Sequence, residues 1–350
     1  MLEPPPLASD QPDSMAMCAA ERGPAARCRI CGSALLARIG TVEYLAGYAW
    51  EVNRCNACGC QFTRHDGGVH DLIHATGVLS YYSDYRSLAA RCRSSFERND
   101  LEGLRNLLAS SLKYKFVLDR IAALPADARI LEIGCSRGYL AAHSILAGRD
   151  VLGVDVSREA VMEAGALFGD HFARVGDPRI AAGAPYDLIY HVGMIGCVAD
   201  PVGLTNDLLA LLRPGGALLF NAPNRDALHL DGQLWLDSAP PPDLVTLFPP
   251  GFFMRRFSAA ADVIEDIETT PAEQSMVIAL RRALGVVWAR PVAQPIQTAG
   301  DNGLTWRQPT PPMRRLVERV AAKIGRMIGL DALVPRLPTE FGLFVTLTRK

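Results

Sequence analysis

The sequence predicts an α/β protein: a doubly wound, mostly parallel sheet preceded by a small domain built on cysteine pairs. Three observations lead there. From residue 129 onward, short apolar runs alternate with helical stretches, the pattern of parallel strands joined by crossover helices. A glycine-rich turn follows the first of those strands. Two Cys-x-x-Cys-Gly knuckles, Cys28–Gly32 and Cys55–Gly59, lie ahead of it.

Composition sets the bounds. A chain of 350 residues that is 49% apolar has enough to bury a sizeable core and is not an intrinsically disordered polymer. With 36 basic against 37 acidic residues the net charge is −1, so no basic field gathers nucleic acid or anionic lipid. Nucleic acid is disfavoured as a partner on that ground. The basic residues are Arg except for Lys113, Lys115, Lys323 and Lys350, a compositional bias and not a binding signal. No apolar run approaches the roughly 20 residues of a membrane helix, so no membrane span is expected. The opening MLEPPPLASDQPDSMAM has no basic segment followed by an apolar one, so the expectation is a cytoplasmic protein without a secretory signal. Nine cysteines in such a chain speak for metal ligation and buried thiols over a disulfide scaffold.

The elements follow in order. Residues 1–26, with Pro4, Pro5, Pro6 and Pro12, read as a disordered tail. Residues 27–66 form a zinc-ribbon-like domain. In each knuckle the two-residue spacer lets both sulfurs reach one ion, and the glycine permits the tight turn that follows. Together Cys28, Cys31, Cys55 and Cys58 supply four soft ligands, the closed set of a structural Zn²⁺ site. The 23 residues between Cys31 and Cys55 leave room for a hairpin such as Leu35–Trp50. Cys60 is close enough to compete with Cys58. His65, His70 and His74 become ligands only if a cysteine is not, and a redox role for the pairs lacks a preceding thioredoxin-like strand.

Residues 67–93 are a connecting segment with an aromatic cluster at Tyr81, Tyr82 and Tyr85. The main domain occupies 94–350. It begins with a helical pattern over Ser94–Leu124, carried by Leu101, Leu104, Leu108, Leu112 and Phe116. Arg129–Ile133, Val151–Val156, Asp187–Val192 and Ala217–Ala222 read as doubly buried strands. Gly138–Ala147, Ser157–Phe168 and Pro201–Leu212 read as the helices between them. Asp200-Pro201 is a helix start and Pro214-Gly215-Gly216 a stop. Beyond these come a strand at Val263–Thr269, an extended loop over 289–312, an amphipathic helix over 313–330 and a final strand within 341–350. The helix is basic on its polar face, and packing on its own sheet is favoured over a membrane surface.

The glycine turn reads Leu131-Glu132-Ile133-Gly134-Cys135-Ser136-Arg137-Gly138. Seventeen residues after Gly138, the second strand ends at Asp155, where an acid can accept both hydroxyls of a ribose. A dinucleotide site would need Gly-x-Gly-x-x-Gly, but Ser136 stands at the third position. Glu132 would repel a diphosphate and suits a ligand that carries an ammonium group.

Glu132–Gly138, Asp155, Tyr186–Ile189, Asp200-Pro201 and Leu212–Gly216 resemble the successive motifs of class I S-adenosylmethionine-dependent methyltransferases. The resemblance runs over roughly 94–280 and closes with 341–350. The paired knuckles, Tyr81-Tyr82, Trp235, Pro240–Pro242 and Phe248 narrow it to bacterial enzymes with an N-terminal zinc-binding domain, a group that includes sugar C-methyltransferases and natural-product tailoring enzymes. It implies a Rossmann-like sheet with S-adenosylmethionine as cofactor. Glu132 would sit near the methionine ammonium end, with Gly134, Ser136 and Gly138 shaping the turn. Asp155 would hold the ribose and Asp177 would contact the adenine, a helix cap being the alternative for Asp177.

The resemblance further implies a small-molecule acceptor, such as a sugar, nucleotide-sugar or biosynthetic intermediate, contacted from 67–92 and 225–257. In the family a Glu-His pair often precedes the Val-x-Asp-Pro step. Here those positions are Gly196-Cys197, ahead of Val198–Pro201. His191 is the nearest titratable group and the candidate catalytic residue, a packed, hydrogen-bonded histidine being the alternative. Tyr139, Asn221, Asn224, His229 and Asp243 lie near the same end of the strands. Two other readings keep the fold: an RNA methyltransferase, and a cofactor-binding module without turnover. The oligomeric state has no sequence signature.

Overall fold

The computed structural model describes residues 27–45, 48–64, 81–229, 234–236, 243–269 and 336–350, with scattered positions elsewhere. The 1–26 segment, His65, His70, His74, the 289–312 loop and most of 313–330 lie outside the described residues. Among the described residues no helix is long and apolar enough to cross a membrane.

Strands β1 (Leu36–Leu45) and β2 (Tyr48–Cys55) form an antiparallel hairpin between the two knuckles. Strand β3 (Gln61–Thr63) adds to β2. The fourth strand of this small sheet comes from far downstream: β9 (Thr246–Leu247) pairs with β3 through Gln61↔Leu247 and Phe62↔Thr246. The sequence-derived 27–66 segment omits it, because a two-residue strand leaves no periodicity to read.

Helix α1 (Tyr81–Glu97) begins inside the segment read as connecting and runs into the Ser94–Leu124 stripe, which continues as two further helices, α2 (Leu101–Ala109) and α3 (Leu112–Ala122). The first break is at Asn99, whose φ of 56° leaves the helical region, and at Asp100, whose carboxylate caps α2 by accepting from the Gly103 N–H at 2.8 Å. The second is at Ser111, which is extended. The apolar stripe survives both breaks, which is why periodicity alone did not reveal them.

The main sheet then builds in strand–helix steps. Its strands are β4 (Arg129–Ile133), β5 (Asp150–Asp155), β6 (Phe172–Arg174), β7 (Tyr186–His191), β8 (Leu212–Ala222), β10 (Ala261–Thr269) and β11 (Pro338–Arg349). The connecting helices are α4 (Ala141–Leu146), α5 (Arg158–Phe168), α6 (Pro178–Ala182) and α7 (Pro201–Leu211); α8 (Phe252–Phe257) precedes β10. The order across the sheet is β10-β11-β8-β7-β4-β5-β6. Strands β8, β7, β4, β5 and β6 are parallel, while β11 runs antiparallel between β8 and β10. Pro214-Gly215-Gly216 falls inside β8 and not in a loop after α7.

Alternation along the strands divides the core. Ile130, Leu188, Tyr190, Ala217 and Leu219 face a cluster with α1–α5. Leu131, Ile189, Leu218 and Phe220 face the other way, toward α7 and α8. That second cluster also contains Cys28, Ile30, Cys55, Cys60 and Phe62, so the cysteine segment packs directly on the main core. The chain leaves β4 in one direction and returns to β7 on its other side. The crevice between the carboxyl ends of β4 and β7 is therefore the topological switch point, where ligands of such sheets bind.

Leu104 is fully buried between the helical layer and the sheet. Leu104→Ala should cost about 2–5 kcal/mol of unfolding free energy, measured by urea denaturation. A loss below about 1 kcal/mol would contradict the packing described.

Candidate active site and metal centre

The knuckles are matched turns. The Gly32 N–H donates to the Cys28 carbonyl and the Gly59 N–H to the Cys55 carbonyl, each at 2.8 Å. Both glycines sit at φ above 70°, a region costly for any residue with a Cβ. The turns aim their thiols inward. The four sulfurs of Cys28, Cys31, Cys55 and Cys58 all lie within 4.8 Å of one another. The Cys28–Cys58 separation is 3.7 Å and that of Cys31–Cys55 is 3.6 Å. Sulfurs about 2.3 Å from one tetrahedral ion stand about 3.8 Å apart, so the donor set and its spacing fit Zn²⁺. The Ile30 N–H points at Cys28 Sγ at 3.4 Å, the backbone contact a thiolate accepts. Cys60 is buried and spends its carbonyl on the Cys55 N–H at 2.9 Å; it is outside the group of four.

At the switch point the turn after β4 folds over the end of β5. The Gly134 and Cys135 N–H groups both donate to the Val154 carbonyl, at 2.7 and 3.0 Å. Gly134, Ser136 and Gly138 all have positive φ. At Gly138 the glycine is required by packing: a Cβ would stand 2.5 Å from the Phe172 ring. Ser136 tolerates its left-handed backbone because Asp155 holds it. One carboxylate oxygen of Asp155 accepts from the Ser136 N–H at 2.8 Å, the other from the Ser157 N–H at 2.9 Å. A Cβ on Gly176 or Gly193, on the loops after β6 and β7, would meet nothing within 4 Å, so both border open space. Asp177 caps α6, accepting from the Arg179 N–H at 2.9 Å and pairing with the Arg179 guanidinium, which holds its carboxyl below the usual range.

Glu132 is 4% exposed, inside the sheet beneath the turn. Burial pushes its carboxyl up to about 8, against a hydrogen bond from the Tyr190 hydroxyl at 3.1 Å. The Asp155 charge adds to the rise, and the Ala141 backbone opposes it. Tyr190 is its register partner on β7. An aromatic file continues from there: Tyr114 donates to the Tyr139 hydroxyl at 3.1 Å, and the Tyr85 ring lies 5.8 Å from that of Tyr139. A cation entering beside Glu132 would restore its ionised form.

His191 lies at the end of β7 on the opposite face. It is fully buried and stacked on Phe220 with centroids 4.7 Å apart and planes at 16°. Burial lowers its pKa to about 3, so the ring is neutral, and neither nitrogen has a hydrogen-bond partner among the described residues. The geometry is that of the packed ring given as the alternative to a catalytic histidine, with no hydrogen bond to it among the described residues.

The loop after β7 is gripped from the small sheet. The N–H groups of Val245 and Thr246 both donate to the Gly196 carbonyl, at 2.9 and 3.0 Å. A Cβ at Gly196 would fall 2.4 Å from Leu244, 2.6 Å from Pro223 and 2.9 Å from the Thr246 carbonyl. The strand therefore excludes any side chain at the first of the two positions where the resembling family carries its acid–base pair. Cys197 is buried against Leu244, Leu247, Val52 and Trp235. Asn221 accepts from the Gly193 N–H at 2.8 Å, holding the same loop to β8. Asn224 caps the turn into Arg225–His229, accepting from the Asp226 N–H at 2.9 Å. Asp243 is buried; the His229 side chain lies outside the described residues. Sequence reading missed the Glu132–Tyr190 pair, whose signal would have been the β4–β7 register. It also missed the Gly196 notch, whose only signal was the glycine itself.

The raised Glu132 carboxyl makes a pH prediction. Its folded value lies above the ordinary 4.5, so the stability it contributes is complete below about 4.5 and is lost as pH rises through about 8. In cofactor-free protein, wild type should lose unfolding free energy relative to Glu132→Gln between pH 5 and pH 8.5. Parallel curves for the two proteins in urea titrations would sink this.

Residues 105–260 match the profile of a family described as a methyltransferase domain. The match spans β4–β8, the glycine turn, Asp155 and the Gly196 loop. A ubiquinone biosynthesis O-methyltransferase of Sodalis glossinidius is 26% identical over 192 residues, which are 52% of this chain and 75% of that one. A namesake from Parvibaculum lavamentivorans is 32% identical over 117 residues, 31% of this chain and 46% of that one. The chain thus spans three quarters of one curated relative and about half of the other. A crystal structure of an S-adenosylmethionine-dependent methyltransferase from Archaeoglobus fulgidus aligns with 68% of this chain and 93% of its own, at 15% identity and a TM-score of 0.39. Residues 105–260 of the chain thus carry a methyltransferase domain.

Proposed function

We propose that this protein transfers the methyl group of S-adenosylmethionine to a hydroxylated small molecule, with one structural Zn²⁺ held by Cys28, Cys31, Cys55 and Cys58. The observation that carries the cofactor half is Asp155: both its oxygens are held by backbone N–H groups at the tip of β5, beside a glycine turn and above a buried Glu132. A carboxylate fixed in that way can take the two hydroxyls of a ribose without first paying for its own orientation. Glu132 suits the ammonium of the methionine end, and Gly134, Ser136 and Gly138 carry the backbone between the two. Asp177, already used as a helix cap, would meet the adenine only from its partly exposed edge.

The acceptor half rests on two supports. The net charge of −1 disfavours a polyanion, and the relatives' names are those of small-molecule O-methyltransferases. Methyl transfer is an in-line displacement. The acceptor oxygen bonds to the methyl carbon as the sulfonium C–S bond breaks, and the leaving group is a neutral thioether. Holding the reactants in line supplies much of the acceleration. The chain places no acid or base at 196–197, and His191 is neutral and sealed against Phe220. We assign His191 to core packing, so the acceptor proton leaves to solvent or to a group outside the described residues.

Calorimetry tests the cofactor site. S-adenosylmethionine should bind one per chain, more tightly as pH rises toward about 8, and Asp155→Ala should weaken it by about tenfold or more. Zinc-loaded, folded protein that binds none would overturn the reading. A panel of phenols, nucleotide-sugars and a tRNA pool, assayed for labelled methyl, separates the acceptor classes. For the metal, elemental analysis should give one zinc per chain, and Cys58→Ser should lower that content severalfold and reduce thermal stability. A full zinc complement in Cys58→Ser would remove Cys58 from the site.

A further inference from the structure

Arg29 lies between the first two candidate ligands, yet its side chain leaves the knuckle and crosses to the main domain. Its Nη2 donates to the Val198 carbonyl at 3.1 Å and also reaches the Thr246 hydroxyl. Both acceptors belong to the region gripped at Gly196: Val198 is two residues along the same loop, and Thr246 is the β9 residue whose N–H bonds Gly196. A second strut runs alongside, from Arg225 Nη1 to the Gly59 carbonyl of the other knuckle at 2.7 Å. The knuckles thus meet the carboxyl edge of the main sheet through two guanidinium groups.

The remaining nitrogens of Arg29 carry the argument further. Nε and Nη1 are buried and have no hydrogen-bond partner among the described residues. Buried guanidinium N–H groups are costly unless an anion answers them. Burial lowers the Arg29 guanidinium to about 10, and the sulfurs of Cys28, Cys60 and Cys197 and the carboxylate of Asp200 work against that fall. Four thiolates around one divalent ion make a dianion, and Cys28 belongs to that set. The metal-loaded knuckle supplies the negative charge that Arg29 needs at one end, while the fork holds the loop at the other.

We propose that Arg29 is a positioning residue through which metal occupancy of the knuckles sets the order of the 194–200 loop and of β9. The inference rests on the proposed zinc site and on that loop bordering the acceptor. It extends the metal's role from stapling the N-terminal segment to shaping a loop far along the chain, since Arg29 and Val198 are separated by 169 positions.

Hydrogen–deuterium exchange on the full chain tests it. In wild type, chelation of the metal should speed exchange of the amides in 194–200 and 245–247 by about tenfold or more, because the Gly196 bonds open more often. Arg29→Lys keeps the cation but loses the fork; with its zinc complement intact it should show the same local acceleration. Thr246→Val removes one acceptor and should give a smaller rise at the same amides. Peptides across 150–168 should change by less than about twofold. Cofactor affinity, measured by calorimetry on the same samples, should stay within about twofold of wild type, so a failed cofactor reading appears separately as absent binding. Zinc-replete Arg29→Lys with wild-type exchange at 194–200 would overturn the proposal, as would acceleration spread evenly over the main sheet. Should Arg29→Lys not fold, unchanged exchange in Thr246→Val overturns it equally.

Discussion

At Gly196 two backbone N–H groups converge on one carbonyl, and the space where a side chain would begin is already filled by Leu244, Pro223 and the Thr246 carbonyl. This close approach joins the two sheets. It requires β9 to leave the main domain and pair with β3, and it requires the loop after β7 to present bare backbone. The small sheet therefore sits on the carboxyl edge of the large one, where the ligands of parallel sheets bind. The placement of the cysteine segment and the absence of an acid at 196 have the same cause.

Two carboxylates at the switch point show how environment separates roles. Asp155 ends its strand with both oxygens taken by backbone donors, so its direction is settled before any ligand arrives. Glu132 is sealed in the sheet beside the Tyr190 hydroxyl and the Ala141 backbone, and burial drives it toward its neutral form. One is held in a fixed direction by the backbone; the other is held near neutrality by its burial.

His191 and Arg29 make a contrasting pair. A histidine at a strand tip near a cofactor turn reads as chemistry, yet packing against Phe220 takes its ring out of reach and removes its charge. An arginine inside a cysteine knuckle reads as a spacer, yet its side chain crosses to the loop after β7. Residue type and sequence neighbourhood left both surroundings open, because what decides is the face of the sheet in one and a long-range contact in the other.

Much of the architecture was legible in the residues alone. Strand and helix alternation, the knuckle spacing and the positions of Glu132 and Asp155 are local patterns, set by periodicity, by backbone needs at glycine and by ligand chemistry over a few residues. Strand Arg129–Ile133 and the Asp200-Pro201 helix start were read directly for that reason. The tertiary structure alone decided the breaks inside 94–124, the fourth strand of the small sheet, the Glu132–Tyr190 pair, the burial of His191 and the reach of Arg29. Each depends on residues brought together across tens to hundreds of positions, and no local pattern encodes which carbonyl a guanidinium will meet or which ring will cover an imidazole.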